Sequence, residues 1–277
     1  MSTSKVWYIT GASKGMGLSL TKELLSKGHR VAATSRTVDV FKQFTAYEDR
    51  FLALEVDLKS ESSIESSFNK TIEKFGNVDV IVNNAGYGLG GALEELTAEE
   101  INDNFEVNFF AAVRVIQKAL PYLRKQRSGN IINISSIAGF APGLGWSVYC
   151  TAKFALSGLS EALANDLKPL GLHVTNILPG WFRTSFAASD SIAYNKNHIE
   201  EYSYLREHHE KMNSINGVQL GNPDKIADAF LELVLSKNPP VNLFLGSDAL
   251  NRAKSKIQQL NQEMSDWEAV SISTDFK

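Results

Sequence analysis

Seven short apolar runs, most of them separated by segments of helical period, restrict the fold of this 277-residue chain more than any other feature. They are VWYIT (6–10), RVAATS (30–35), FLALEV (51–56), DVIVNN (79–84), NIINIS (130–135), LHVTNIL (172–178) and VNLFLG (241–246). Apolar almost throughout, they read as strands of a sheet covered on both faces. The intervening segments carry the other period. From Ser60 to Phe75, the side chains of Ile64, Phe68, Ile72 and Phe75 share one helical stripe, and Thr97 with Glu100 forms a capping box. Gly28, Gly76, Gly129 and Gly171 sit where a helix should stop before the next strand. Strand–helix–strand units of roughly 30 residues pair in parallel through right-handed crossovers. The expected architecture is therefore α/β: a doubly wound, seven-stranded, mostly parallel sheet with helices on both faces, in one domain over 1–277.

Two stretches break the rhythm. Residues 185–222 are polar and aromatic with weak periodicity, and an insertion of that length predicts a lid over a binding site. Residues 247–277 form a C-terminal extension that reads as a surface helix with a loose end.

Composition narrows the function classes. A net charge of −3 without a basic block argues against nucleic acid as a partner. The lone cysteine, Cys150, excludes an intrachain disulfide and suits a reducing compartment. No long apolar stretch precedes the first strand, and Arg114 and Lys118 interrupt the most apolar helical region, so neither a signal peptide nor a membrane span is expected. The expected location is cytoplasmic.

The turn after the first strand reads TGASKGMG, with Gly11, Gly15 and Gly17 around Ser13, Lys14 and Met16. Glycines there let backbone approach a pyrophosphate, while the following helix supplies N–H donors and partial positive charge. The second strand ends in Ser35 and Arg36 rather than in a carboxylate. An arginine at that place favours the 2′-phosphate of NADP over the free ribose of NAD, and Lys14 adds a second positive charge.

Tyr149 and Lys153 stand one helical turn apart in SVYCTAKFALSGL. With 8 Tyr in the chain, such a pair arises by chance about 0.5 times, so its context has to decide its meaning. That context comes from order. TGASKGMG (10–17), VDL around Asp57, NNAG (83–86), VNFF around Asn108, NISSIAG (133–139), YCTAK (149–153) and PGWFRT (179–184) follow one another along the chain. In this the chain resembles the short-chain dehydrogenase/reductase family in its classical, Rossmann-type, single-domain form.

The resemblance implies roles residue by residue. Asp57 contacts the adenine, and Asn83, Asn84, Ala85 and Gly86 form the floor beneath the adenosine half. Pro179, Gly180 and Thr184 hold the nicotinamide carboxamide. Tyr149 is the proton donor, Lys153 its electrostatic partner and a grip on the nicotinamide ribose, and Asn108 holds a water for proton relay. The chemistry supports these assignments: a lysine ammonium next to a phenol stabilises the phenolate and lowers its pKa. Ser136, thirteen residues before Tyr149 at a strand end, suits an oxyanion-type hydrogen bond to the substrate oxygen. Ser135 is the competing serine.

Other reactive side chains carry less. Cys150 points away from its helical neighbour Tyr149 and lacks an activating base in sequence. His208 and His209 lack the His-x-x-x-His spacing of a helical zinc site, so no metal site is expected, and a solvated face or lid contact fits them better.

Candidate substrate walls are Tyr87, Phe140, Leu144, Trp146, Trp181, Phe182 and Phe186. They suggest a bulky apolar or aromatic small molecule, a carbonyl compound or its alcohol. The main expectation is an NADP(H)-dependent carbonyl reductase. Its rivals are a secondary-alcohol or hydroxysteroid-like dehydrogenase working oxidatively and, in another class, a non-catalytic NADP sensor. Apolar positions beyond a narrow stripe on helices at about 105–127 and 148–170 point to a homodimer.

Overall fold

In the computed structural model, which describes residues 4–184, 191–214 and 217–276, all seven runs become strands of one parallel sheet. They are β1 (Val6–Ile9), β2 (Arg30–Ser35), β3 (Phe51–Glu55), β4 (Val80–Asn83), β6 (Gly129–Ile134), β7 (Leu172–Pro179) and β9 (Asn242–Leu245), hydrogen-bonded in the order β3-β2-β1-β4-β6-β7-β9. The order reverses direction between β1 and β4. There the following loops leave toward opposite faces and open a crevice at the carboxyl ends of the strands, where ligands bind in sheets of this kind.

The apolar runs are explained by burial on both sides. Ile9, Val31 and Val82 pack with Leu20 and Leu24 of α1 (Gly15–Ser26) and Phe230 of α7 (Ile226–Leu235). On the other face, Tyr8, Ile81 and Ile131 meet Ile64 and Phe68 of α2 (Glu61–Phe75) and Val115 of α4 (Ala111–Gln126). Each such aliphatic or aromatic side chain contributes roughly 1.5–3 kcal/mol by leaving water. α2 begins at Ser60, whose hydroxyl accepts the Ser63 N–H, and stops at Gly76 with φ of 80°. Thr97 closes its capping box with Glu100 at the start of α3 (Ala98–Phe105). One helix stop differs from the sequence expectation. After α4 the left-handed residue is Arg127 (φ 53°), while Gly129 already belongs to β6.

Two strands were not foreseen. β5 (Gly88–Gly90), just after β4, pairs in parallel with β8 (Ile192–Tyr194), making a two-stranded sheet that ties the lid to the domain. The lid continues into α6 (Ser203–Asn213). Past β9 the chain forms α8, a helix from Ser247 to Ile272. No helix among the described residues is long and apolar enough to cross a membrane.

Candidate active site

The crevice encloses about 680 Å3 and runs from the ends of β1 and β2 to the lid. At its nucleotide end the glycine turn enters α1 with no side chain capping the helix and no acidic residue in its first turn. Ser13, Lys14, Gly15 and Met16 line the cavity there. The backbone N–H groups and helix dipole are therefore available to an anion. Gly11 has φ of 62°, and a Cβ on it would stand 2.8 Å from Ala85 Cα. Glycine meets both demands. Gly17 does not line the cavity; it lies beneath the loop, where a Cβ would meet the Asn84 side-chain amide nitrogen at 2.5 Å.

The loop is fastened from β4. Thr10 Oγ1 accepts the N–H groups of Asn84 (3.0 Å) and Ala85 (3.1 Å), and the Asn84 side-chain amide donates to the Thr10 and Gly11 carbonyls. Asn83 is buried one layer below, donating to Asn133 Oδ1 at 2.8 Å, so it braces the sheet rather than facing the cavity. Ser35, Arg36 and Asp57 line the cavity, as do Ala85, Gly86, Pro179, Gly180 and Thr184. Arg36 is exposed and forms no ion pair among the described residues. Two positive side chains, an open helix start and a glycine cradle fit the phosphates of a dinucleotide.

The side chains expected to carry the reaction lie midway along the crevice. Helix α5 (Ser147–Leu167) carries Tyr149 and Lys153 on its buried face, both lining the cavity. The Tyr149 hydroxyl is hydrogen-bonded to Ser136 at the end of β6. Ser136 Oγ also accepts the Ala138 N–H at 3.1 Å. Ser135 has a different job, bonding to the Lys153 carbonyl at 2.9 Å and to Ser157 Oγ at 3.0 Å, which fixes α5 against the sheet. Lys153 Nζ donates to the Ile134 carbonyl at 3.0 Å and sits 5.8 Å from the Tyr149 ring centroid.

Burial moves both groups. It pushes the Tyr149 phenol above its ordinary value, partly offset by the Ser136 hydrogen bond. It pulls the Lys153 ammonium down to about 8. Sequence chemistry anticipated a lowered phenol. The ammonium instead lies near the ring and bonds a carbonyl, so desolvation decides the direction.

Asn108 lies in a π-helical turn, Glu106–Phe110, joining α3 to α4. Such bulges re-aim side chains within a continuous helix. Its side chain is buried, accepts the Tyr87 N–H at 3.2 Å and donates to the Tyr87 carbonyl at 2.9 Å. A Cβ on Gly86 would stand 2.6 Å from Asn108 Oδ1 and 3.2 Å from Lys153 Nζ, which brings the two side chains together across that glycine.

The substrate end is lined by Tyr87, Trp146, Trp181 and Phe182 of the expected set. Two other expected walls are elsewhere. Phe140 turns away and packs edge-on against Phe244, beside the start of α8. Leu144 is 52% exposed and borders a separate shallow groove with Tyr202 and Tyr204. Phe186 lies outside the described residues. In their place the lid supplies Ser191, Ile192, Ala193, His208 and Met212, and α8 supplies Arg252. His209 is buried beside His208, with Nε2 3.1 Å from the Gly145 carbonyl and its ring 4.9 Å from that of Trp146. Trp146 also meets Tyr149 and Tyr194 edge-on or tilted, each at 6.1 Å, so one indole touches both the Tyr149 phenol and the 191–214 segment.

The lid is clamped by Glu95, which is 1% exposed. Its carboxylate accepts from Ile199 N–H (2.8 Å) and Ala92 N–H (3.3 Å) and pairs with Arg206 at 2.9 Å. Burial alone would raise this carboxyl, but the two backbone donors and Arg206 hold it below its usual value.

The family model described as short chain dehydrogenase matches residues 5–195. The chain belongs to this family. A 3-ketodihydrosphingosine reductase from Bacteroides thetaiotaomicron is 36% identical over 249 residues, covering 87% of this chain and 88% of that protein. A short-chain dehydrogenase from Streptomyces avermitilis has a TM-score of 0.92 at 33% identity, covering 99% of this chain and 100% of its own. ElxO with NADP bound has a TM-score of 0.73 at 26% identity, covering 90% of this chain and 100% of its own. The short-chain dehydrogenase assignment makes the protein an oxidoreductase.

Proposed function

We propose that this short-chain dehydrogenase is an NADP(H)-dependent carbonyl reductase acting on a bulky, largely apolar ketone or aldehyde. The observation that carries the reading is Ser136 with the buried Tyr149 and Lys153, set between an anion-ready helix start and an aromatic pocket. When bound, the dinucleotide supplies the hydride. Ser136 and Tyr149 direct their hydroxyls to the carbonyl oxygen, and Tyr149 gives that oxygen its proton. A phenol is protonated at neutral pH, as the proton donor of the reductive direction must be, and burial only strengthens its hold on that proton. Lys153, with a pKa near 8, sits beside the phenolate left behind and is ready to exchange a proton at physiological pH. Asn108 holds the Tyr87 backbone in place and lies close to the Lys153 ammonium, where it can position a water for that exchange.

Arg36 and Lys14 support NADP over NAD, and the NADP held by ElxO agrees with that choice. The apolar walls and the keto-lipid reductase among the relatives support the substrate class. The deciding experiment is NADPH and NADH turnover over a panel of aryl and long-chain ketones, with Tyr149→Phe as control. We expect NADPH-dependent turnover, and a loss of about 10^3-fold in kcat for Tyr149→Phe with dinucleotide affinity unchanged. Tight NADPH binding without reduction of any carbonyl in the panel would reject the reductase reading.

A further inference from the structure

We propose that the free end of α8 is a self-association surface that pairs with the same helix of a second copy, in antiparallel orientation. The helix has two unlike parts. Ala249 and Ala253 pack on Ile137 and Ala141, and Arg252 donates to the Ala141 carbonyl, fixing its first turns to the domain. From Ile257 to Phe276 every residue is exposed. The helical portion of that length, to Ile272, reaches about 24 Å at 1.5 Å per residue. A helix of this length is marginal in water without an apolar face to bury.

Such a face is present. Ile257, Leu260, Met264 and Trp267 alternate steps of three and four, the seam spacing of a two-stranded coiled coil, and are 45%, 38%, 63% and 64% exposed. Leu250 and Ala253 continue the same spacing toward the domain. By contrast, the α4 and α5 region expected to form a dimer shows only two large exposed apolar side chains nearby, Phe110 and Phe154.

Charge names the occupant. Lys254 and Lys256 flank the seam at its start, and Glu263 and Glu268 flank it further on. None of these four forms an ion pair among the described residues. Laid parallel, two copies set Glu263 against Glu268. Reversed, each copy brings its lysines toward the partner's glutamates on both sides of the seam. No Lys or Arg occurs between Ile257 and Phe276, and Asp266 and Asp275 add to its acidity. That stretch opposes an anionic lipid surface, which draws helices with basic polar faces.

The test is sedimentation of the full-length protein at micromolar concentration. The wild type should form an assembly, and Met264→Glu/Trp267→Glu should halve its mass while leaving NADPH binding unchanged. Reversing only the basic pair (Lys254→Glu/Lys256→Glu) should weaken the assembly about tenfold or more. Adding Glu263→Lys/Glu268→Lys to the same chain should restore it. A monomeric wild type, an unchanged mass in the seam variant, or no rescue by the combined reversal would each overturn the proposal. So would α8-dependent flotation with vesicles of phosphatidylcholine and phosphatidylserine without any change in mass.

Discussion

The two ends of the crevice are built by different means. The nucleotide end is made of short turns leaving β1, β2 and β4, and most of its contacts are backbone atoms within a few residues of a strand end. The substrate end is made of side chains from far apart: Trp146 before α5, Ile192 and Met212 in the lid, and Arg252 in α8. The first is held by the sheet, which is buried on both faces. The second is held by a few contacts to Glu95, Trp146 and Gly145. A site divided in this way keeps one half fixed for a constant ligand and leaves the other free to change with the substrate.

If that division is right, damage to either end should be separable, and the largest effect should come from the fixed end. Gly11→Ala places a side chain at positive φ and 2.8 Å from Ala85 Cα. Backbone strain and displacement of the loop together should lower dinucleotide affinity by about 100-fold, measured by fluorescence titration, while the melting temperature falls only modestly. Wild-type affinity in this variant would mean that the loop yields far more than its hydrogen bonds to Asn84 and Thr10 suggest. Arg36→Ala acts at the rim of the same end. Losing one charge-assisted contact to a 2′-phosphate should raise the KM for NADPH about tenfold and leave that for NADH unchanged. Equal effects on both cofactors, or no change in preference, would remove Arg36 from the assignment.

The same division explains what could be read from the sequence. Everything at the nucleotide end is local in the chain. Gly11, Asn84 and Arg36 each stand beside the strand that positions them; the glycine turn and the strand end point to Gly11 and Arg36, while Asn84 comes only with the NNAG motif that carries the family resemblance. Ser136 is favoured over Ser135 by the NISSIAG motif that carries the resemblance, and Tyr149 is set apart from Cys150 because adjacent helical residues point apart. Both serines border the cavity, and only their hydrogen bonds tell them apart. The substrate end depends on pairings that leave no periodic trace. β5 is GLG and β8 is IAY, each three residues long, and only their mutual hydrogen bonds make them strands. Phe140 and Leu144 looked like pocket walls because they are apolar and near Ser136. Yet Phe140 is claimed by Phe244, beyond β7, and Leu144 is left at the surface. Glu95 carries no signal in the sequence, since its partners Ile199 and Arg206 lie more than a hundred residues away along the chain.

Glu95 therefore offers the matching test at the substrate end. Glu95→Gln keeps the size of the side chain but removes the charge facing Arg206, and it turns one of the acceptor atoms into a donor. The substrate KM should rise about fivefold, in line with the loss of about 1 kcal/mol from a partly exposed ion pair. Dinucleotide affinity should stay within twofold of wild type. Tighter or unchanged substrate binding would show that the clamp does not hold the pocket closed.

The smallest effect, and the one most specific to the comparison, is in acid. His209 is buried in the lid with its pKa pulled below 6.5 by desolvation, so its neutral form is the folded one. Its contribution is present above about 6.5 and is lost as pH falls from there toward the folded value. The Glu95 carboxyl is held below 4.5, so its contribution persists to that pH and disappears only as pH drops through the lower, folded value. The lid should therefore loosen in two steps, the first below pH 6.5 and the second below pH 4.5. The first step has no counterpart in the glycine turn and α1, where no histidine is placed before His29. Amide hydrogen exchange read at residues 191–214 against residues 15–26 separates the two regions. Protection should fall first in the lid between pH 7 and 5.5, by a few-fold, with α1 unchanged. Replacing His209 by Gln should abolish that first step and spare the second. Simultaneous loss of protection in the lid and α1 would mean that the two ends open as one unit, and that the division drawn from their construction does not govern their dynamics.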